Sequence, residues 1–248
     1  MKHTVLVTGG AKRVGRSLCL GLAEVGYATA VHYNGSRSAA ETVVDEIKAN
    51  GGTAISVQAN LEVETDARGL VDKVRRQLGP VDVLINNASL FEEDSYGKLD
   101  SARWDRHFNL HVKAPALLAS AFAAQQLDEG LIVNMIDERV WKLTPNFPSY
   151  TLSKSALWAA TKTMAQAFAP TIRVNAIGPG PTLPSDHQTQ DEFDKQLQTL
   201  LLQRSPALSE FVDTVLYFMR AKSVTGQMIA LDGGQHLGWQ TPDQMPLK

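Results

Sequence analysis

Tyr150 and Lys154 lie four residues apart in Tyr150-Thr151-Leu152-Ser153-Lys154, just after Pro148 and at the head of a helical stretch. Residues at that spacing share one helical face, so a phenol and an ammonium can lie side by side. A free tyrosine has a pKa of about 10 and exchanges protons poorly near neutrality. A cation beside it stabilises the phenolate and lowers that pKa. The pattern alone arises often by chance. Its weight comes from its place after a fifth apolar strand, because open α/β sheets bind ligands at the C-terminal ends of their strands.

A second set of residues suits an anion. Thr8-Gly9-Gly10-Ala11-Lys12-Arg13-Val14-Gly15 links a first strand to a helix, and such a turn lets backbone N–H groups approach a pyrophosphate at a helix N-terminus. The strict G-x-G-x-x-G spacing is missing, so a ligand-free loop stays open as the plainer reading. The second strand ends in Val31-His32-Tyr33-Asn34-Gly35-Ser36-Arg37, with no carboxylate before Glu41. NAD-binding folds commonly place an acidic residue there for the ribose 2′-hydroxyl. A 2′-phosphate instead calls for guanidinium and hydroxyl groups, which Arg13, Asn34, Ser36 and Arg37 can supply. The expected cofactor is NADP(H), the alternative being that these arginines, Arg37 above all, are solvated surface.

These groups need a scaffold. Apolar, β-branched runs at Thr4–Val7, Ala28–Tyr33, Thr53–Gln58, Val81–Asn86, Leu131–Ile136, Arg173–Ile177 and Met228–Leu231 alternate with amphipathic stretches such as Val14–Glu24, Ala39–Ala49, Glu64–Leu78, Ala102–Gln126 and Ser149–Phe168. That alternation predicts an α/β fold: one Rossmann-type, doubly wound parallel sheet of seven strands, spanning residues 1–248 as a single domain. Pro179–Ser205, with prolines at 179, 181, 184 and just beyond at 206, interrupts the alternation. An active-site lid at about 181–206 is expected there. No further strand or long helix is expected after Asp232-Gly233-Gly234.

Composition narrows the partners. Of 248 residues, 24 basic side chains nearly balance 26 acidic ones, and no basic run of nucleic-acid type appears. No span of ~20 apolar residues would cross a membrane, and the N-terminus runs directly into a strand, so a cytoplasmic location is the expectation. Cys19 is the single cysteine. It cannot form an internal disulfide and reads as a buried thiol. Histidines 3, 32, 107, 187 and 236 lack metal-ligand spacing, and no metal is expected.

Thr8–Gly15, Asn86-Asn87-Ala88, Tyr150 with Lys154, Asn175-Ala176-Ile177-Gly178-Pro179-Gly180 and Asp232-Gly233-Gly234 occur in order along nearly the whole chain. In this the sequence resembles the short-chain dehydrogenase/reductase family. The resemblance implies that Tyr150 transfers the proton and that Lys154 also bonds the nicotinamide ribose. It carries cofactor contacts onto Gly9, Arg13, Val14, Gly15, Asn34, Ser36 and Arg37 in the first half of the nucleotide site. Asn60, Leu61, Asn87, Ala88 and Ser89 follow at later strand ends, with Tyr150, Lys154, Pro179, Gly180 and Thr182 completing it. It further implies a homodimer or homotetramer built on the long helices around 102–126 and 149–168.

Two positions depart from the family's alcohol dehydrogenase pattern. Asp137, thirteen residues before Tyr150, stands where a substrate-orienting serine is usual. His111 stands near the asparagine that usually anchors a relay water, with Asn109 two residues off that register. Together with Arg13 and Asn86-Asn87-Ala88-Ser89-Leu90-Phe91, these features resemble the pteridine reductase branch, including dihydromonapterin- and dihydrofolate-reducing members. By that resemblance Phe91 stacks on a pterin ring, Asp137 and Tyr150 handle protons beside it, and Ser89 and Thr182 lie near cofactor phosphates or substrate. The chemistry is consistent, since reducing C=N needs hydride at carbon and a proton at nitrogen, whereas a carboxylate would repel the alkoxide formed from a ketone. The alternatives are a generic carbonyl (3-oxoacyl-type) reductase and a non-catalytic NADP(H)-binding sensor. Phe91 as a lid or core residue, Asp137 as a strand-end cap or ion-pair partner of Arg139, and His111 as a structural histidine also stay open.

Overall fold

Strand interiors in this chain alternate between two apolar faces, and that alternation decides the architecture. The computed structural model describes residues 3–184 and 188–239. In β1 (Thr4–Val7), Val5 and Val7 point to one side and Leu6 to the other, and β4 (Val81–Asn86) does the same with Val83 and Ile85 against Leu84. With both faces apolar, both must be covered, which is the condition for a parallel sheet between two helical layers. The sheet has seven strands in the order β3-β2-β1-β4-β5-β6-β7, with β2 Ala28–Tyr33, β3 Ala54–Gln58, β5 Gly130–Met135, β6 Ile172–Pro179 and β7 Met228–Leu231. Every neighbouring pair is parallel.

One layer holds α1 (Arg13–Glu24), α2 (Arg37–Ala49) and α8 (Leu208–Arg220), whose Leu18, Leu22, Val43, Ile47, Phe211 and Phe218 pack on Val5, Val7 and Val133. Cys19 is fully buried in it, as its apolar neighbours predict. The other layer holds α3 (Glu64–Leu78), α5 (Ala114–Ala123) and α6 (Pro148–Ala167), burying Leu70, Val74, Leu118, Phe122 and Met164 against Leu6, Leu84 and Ile132. The strand order reverses between β1 and β4, so their C-terminal ends open a crevice.

The structure corrects three readings. The stretch 102–126 is not one helix. α4 (Ser101–Phe108) and α5 are joined by a single π-helical turn, Asn109–Lys113, whose wider winding redirects side chains. The segment 179–205 is not wholly irregular, because α7 (Gln190–Gln198) starts at a reciprocal cap between Thr189 and Glu192. The element α8 was absent from the sequence reading. Among the described residues no helix is long and apolar enough to cross a membrane. Residues 185–187, inside the expected lid, lie outside the described residues.

Candidate active site

The crevice is built by close backbone contact. Gly9 follows β1 with φ +63°, a conformation costly for a residue with a Cβ. The Asn87 side-chain amide after β4 donates to the carbonyls of Thr8 (2.9 Å) and Gly9 (3.2 Å), and the N–H groups of Asn87 and Ala88 reach Thr8 Oγ1. A Cβ on Gly15 would lie 2.2 Å from the Gly9 carbonyl oxygen, so only glycine lets α1 start this near the turn. The start of α1 has no side-chain cap and no acidic residue in its first turn, leaving donors for a phosphate group. Val14 and Gly15 sit in that turn.

His32, on β2, fixes the same loop from below. Its Nδ1 accepts the Gly9 N–H at 3.0 Å, and its Nε2 faces the Ala59 carbonyl at 3.1 Å. Burial lowers its pKa to about 4 and Lys73 contributes in the same direction, although the bond to Ala59 opposes them. The ring is therefore neutral, with its proton on Nε2. No signal in the sequence reading distinguished His32 from the other histidines.

The residues expected around a 2′-phosphate are placed unevenly. Asn34, Ser36 and Arg37 follow β2 together, Ser36 at the helix-cap position of α2 and Arg37 exposed and paired with Glu41 at 2.8 Å. Arg13 (φ +51°) turns its guanidinium to the carbonyls of Pro184 (2.8 Å) and Leu183 (3.2 Å), joining the phosphate turn to the chain that follows β6 rather than grouping with Arg37. Asn60 is held in its own turn by Asp66 and Glu62, with Leu61 buried beside it. Pro179 ends β6, Gly180 bonds the Leu231 carbonyl, and Thr182 donates to the Gly180 carbonyl. With no carboxylate between β2 and Glu41 and open donors on α1, these residues fit a 2′-phosphorylated dinucleotide.

Across the crevice, β5 delivers Asp137 and the first turns of α6 deliver Tyr150 and Lys154. The Tyr150 hydroxyl donates to Asp137 Oδ2 at 2.7 Å. Asp137 Oδ1 accepts the Arg139 N–H at 2.9 Å, with the Arg139 guanidinium 3.8 Å away. Asp137 is thus both cap and ion-pair partner, and also the tyrosine's acceptor. Lys154 is 2% exposed and donates to the Met135 carbonyl at 2.9 Å. Burial brings its pKa down to about 8, opposed by Asp137.

The expectation that Lys154 would depress Tyr150 is overturned. Burial and then Asp137 push the Tyr150 phenol well above 10, because a buried phenolate beside a carboxylate has lost hydration and gained a like charge. The Tyr150 hydroxyl thus keeps its proton, in a hydrogen bond to Asp137 Oδ2.

Phe91 stands beside this group, edge-on to Tyr150 at 4.8 Å between ring centroids and 4.6 Å from Phe147. It is 47% exposed, so it is not a core residue. The Arg139 guanidinium lies 5.6 Å from the Phe91 ring and 5.2 Å from Phe147, cation–π distances that group Arg139 and Phe147 with Phe91. Sequence reading named Arg139 only as an ion-pair partner of Asp137 and did not name Phe147. Ser89 lies 3.0 Å from His111 Nε2, and His111 is 1% exposed on the π turn. Among the described residues no group of three or more potential ligands could hold a metal.

The sequence pattern of the short chain dehydrogenase family matches residues 3–196. FolM alternative dihydrofolate reductase 1 from Brucella suis, solved in complex with NADP, shares 55% identity and superimposes with a TM-score of 0.94 over 97% of this chain and 98% of that one. Its counterpart from Brucella canis, complexed with NADP, also gives 55% and 0.94, over 97% and 96%. The 3-oxoacyl-[acyl-carrier-protein] reductase FabG of Staphylococcus epidermidis strain RP62A is 33% identical over 245 residues, covering 96% of this chain and 100% of its own. With Tyr150, Lys154 and the glycine turn assembled on this sheet, the chain belongs to the short-chain dehydrogenase/reductase family.

Proposed function

We propose that this NADPH-dependent short-chain reductase reduces the C=N bond of a pterin-type ring, a dihydropterin or dihydrofolate. The observation that carries the reading is the 2.7 Å bond from Tyr150 to Asp137, at the position where a ketone reductase needs a neutral hydroxyl. NADPH, when bound, supplies hydride to the ring carbon. Tyr150 gives its proton to the ring nitrogen, which gains its N–H bond as the C=N bond becomes single. The phenolate left behind is a strong base and recovers a proton through Asp137, whose side chain is 19% exposed and so reaches solvent. Lys154, fixed by the Met135 carbonyl, holds positive charge beside this exchange and would bond the nicotinamide ribose. Phe91 packs on the flat ring, a contact worth about 0.5–1.5 kcal/mol beyond area burial.

The two relatives of 55% identity support the reading through the activity in their names, and the fit of the crevice to a 2′-phosphate agrees with their NADP. The remaining contacts proposed for cofactor are Gly9, Val14, Gly15, Asn34, Ser36, Arg37, Asn60, Leu61, Asn87, Ala88, Ser89, Pro179, Gly180 and Thr182. The segment 181–206 is proposed as the lid, with Arg13 as its tether. A homodimer or homotetramer is the proposed assembly. The competing reading, a 3-oxoacyl-type reductase, is favoured by relatives of 30–33% identity that carry that name. NADPH oxidation with dihydrofolate, dihydrobiopterin, dihydromonapterin and an acetoacetyl thioester tests the choice. Pterin-selective turnover lost in Asp137→Ser supports the proposal, and turnover confined to the thioester refutes it.

A further inference from the structure

Behind Tyr150 stand two imidazoles that the proton path does not use. His107, at the end of α4, is fully buried, and His111, one turn on, nearly so. Their rings lie 5.5 Å apart, and each meets the Tyr150 ring edge-on, at 6.0 and 5.5 Å. Both use their nitrogens in parallel, although His111 Nε2 also meets the Ser89 hydroxyl at 3.0 Å. His107 Nδ1 lies 2.7 Å from Ser149 Oγ and His111 Nδ1 2.8 Å from Ser153 Oγ, two serines that bracket Tyr150 on α6. On the opposite edge, His107 Nε2 accepts the Glu92 N–H at 3.4 Å and His111 Nε2 accepts the Leu90 N–H at 3.1 Å, two amides that bracket Phe91.

A backbone amide can only donate, so each Nε2 must carry a lone pair and each Nδ1 its proton. The ring is thus a rigid spacer, gripping α6 with one edge and the loop with the other. We infer that His107 and His111 are positioning residues that clamp Leu90–Glu92 onto α6 and so set where the Phe91 ring stands relative to the Tyr150 hydroxyl. The functional part of this inference rests on the reading of Phe91 as the wall of the substrate slot.

The surroundings keep both rings neutral. Burial lowers the pKa of His107, with Arg106 and Arg103 acting alongside and Glu92 and Asp94 against. Burial lowers that of His111 further, helped by Lys154 and His107. Protonation would set an N–H against the N–H of Glu92 or Leu90 and open the clamp. His107 is the less strongly held of the two and opens first as pH falls.

The test is amide exchange by NMR on the NADP-loaded protein, together with steady-state kinetics on dihydrofolate. His111→Leu is expected to lower the protection of the Leu90 amide about tenfold, the worth of one buried hydrogen bond. It should raise KM about tenfold while kcat and NADPH affinity stay within about threefold. His111→Gln, which keeps a donor and an acceptor, should restore most of both. In the wild type, Glu92 protection should fall at a higher pH than Leu90 protection. Unchanged Leu90 protection in His111→Leu, or equal losses of NADPH affinity, kcat and thermal stability, would overturn the clamp. If the wild type reduces no pterin, the function proposal fails by itself, and the exchange measurements in the wild type and both variants still decide the clamp.

Discussion

Acidification should weaken the fold through His32 by a calculable amount. The folded-state pKa is about 4, against about 6.5 in an unfolded chain. Between those values the unfolded state binds the proton and the native state does not, so stability rises with pH there. The contribution is complete above pH ~6.5, about 2 kcal/mol of it is gone by pH ~5, and about 3 kcal/mol by pH ~4. The cause is geometric, since Nδ1 is already taken by the Gly9 N–H and the ring is 2% exposed. His32→Gln can keep an acceptor for Gly9 and a donor for Ala59 but cannot titrate. Urea unfolding of both proteins at several pH values between about 7 and 4 isolates the term from the other histidines. The variant should lose about 3 kcal/mol less than wild type across that window. Parallel losses in the two proteins would refute the assignment of a neutral, loop-holding imidazole.

Asp137→Asn keeps volume and a hydrogen-bond acceptor but cannot carry the proton. We expect kcat to fall about 100-fold at neutral pH with KM within about threefold, read by NADPH oxidation; near-wild-type kcat would reduce Asp137 to a cap. Gly15→Ala forces a Cβ to 2.2 Å from the Gly9 carbonyl and 2.6 Å from the Asn87 amide. Denaturant unfolding should show a loss of about 1–3 kcal/mol, and fluorescence titration weaker NADPH binding. Phe91→Ala removes a half-exposed ring from the slot and should raise KM for a pterin about tenfold, with thermal stability nearly unchanged. A drop in stability without a change in KM would make Phe91 a packing residue.

The fold was legible because both strand faces are apolar. Ala28–Tyr33 and Val81–Asn86 are strands as read, and Leu131–Ile136 is displaced by one residue to Gly130–Met135. The π turn at Asn109–Lys113 was not legible, since its apolar spacing continues that of α4 and α5. Dense prolines hid α7, although Thr189 and Glu192 carry the spacing of a helix start. At the site, Tyr150 was found by type and spacing, Asp137 and Phe91 through the family resemblance, and the three do stand together. What the sequence could not show is direction. Lys154 points to Met135, Arg13 to Leu183 and Pro184, and Asp137 rather than Lys154 governs Tyr150, because these depend on burial and on partners remote in the chain. His32 and His107 were passed over for the same reason, and His111 was read only as a relay-water or structural residue: their bonds go to backbone N–H groups up to 23 residues away.

The central claim is that a carboxylate at position 137 fits this site to a ring C=N bond rather than to a ketone. The most direct measurement is the ratio of kcat/KM for dihydrofolate to that for an acetoacetyl thioester, with NADPH, in wild type and in Asp137→Ser. The account predicts a wild-type ratio well above one that falls at least about tenfold when the hydroxyl replaces the carboxylate. A ratio below one in the wild type, or one that the substitution leaves unchanged, would contradict it.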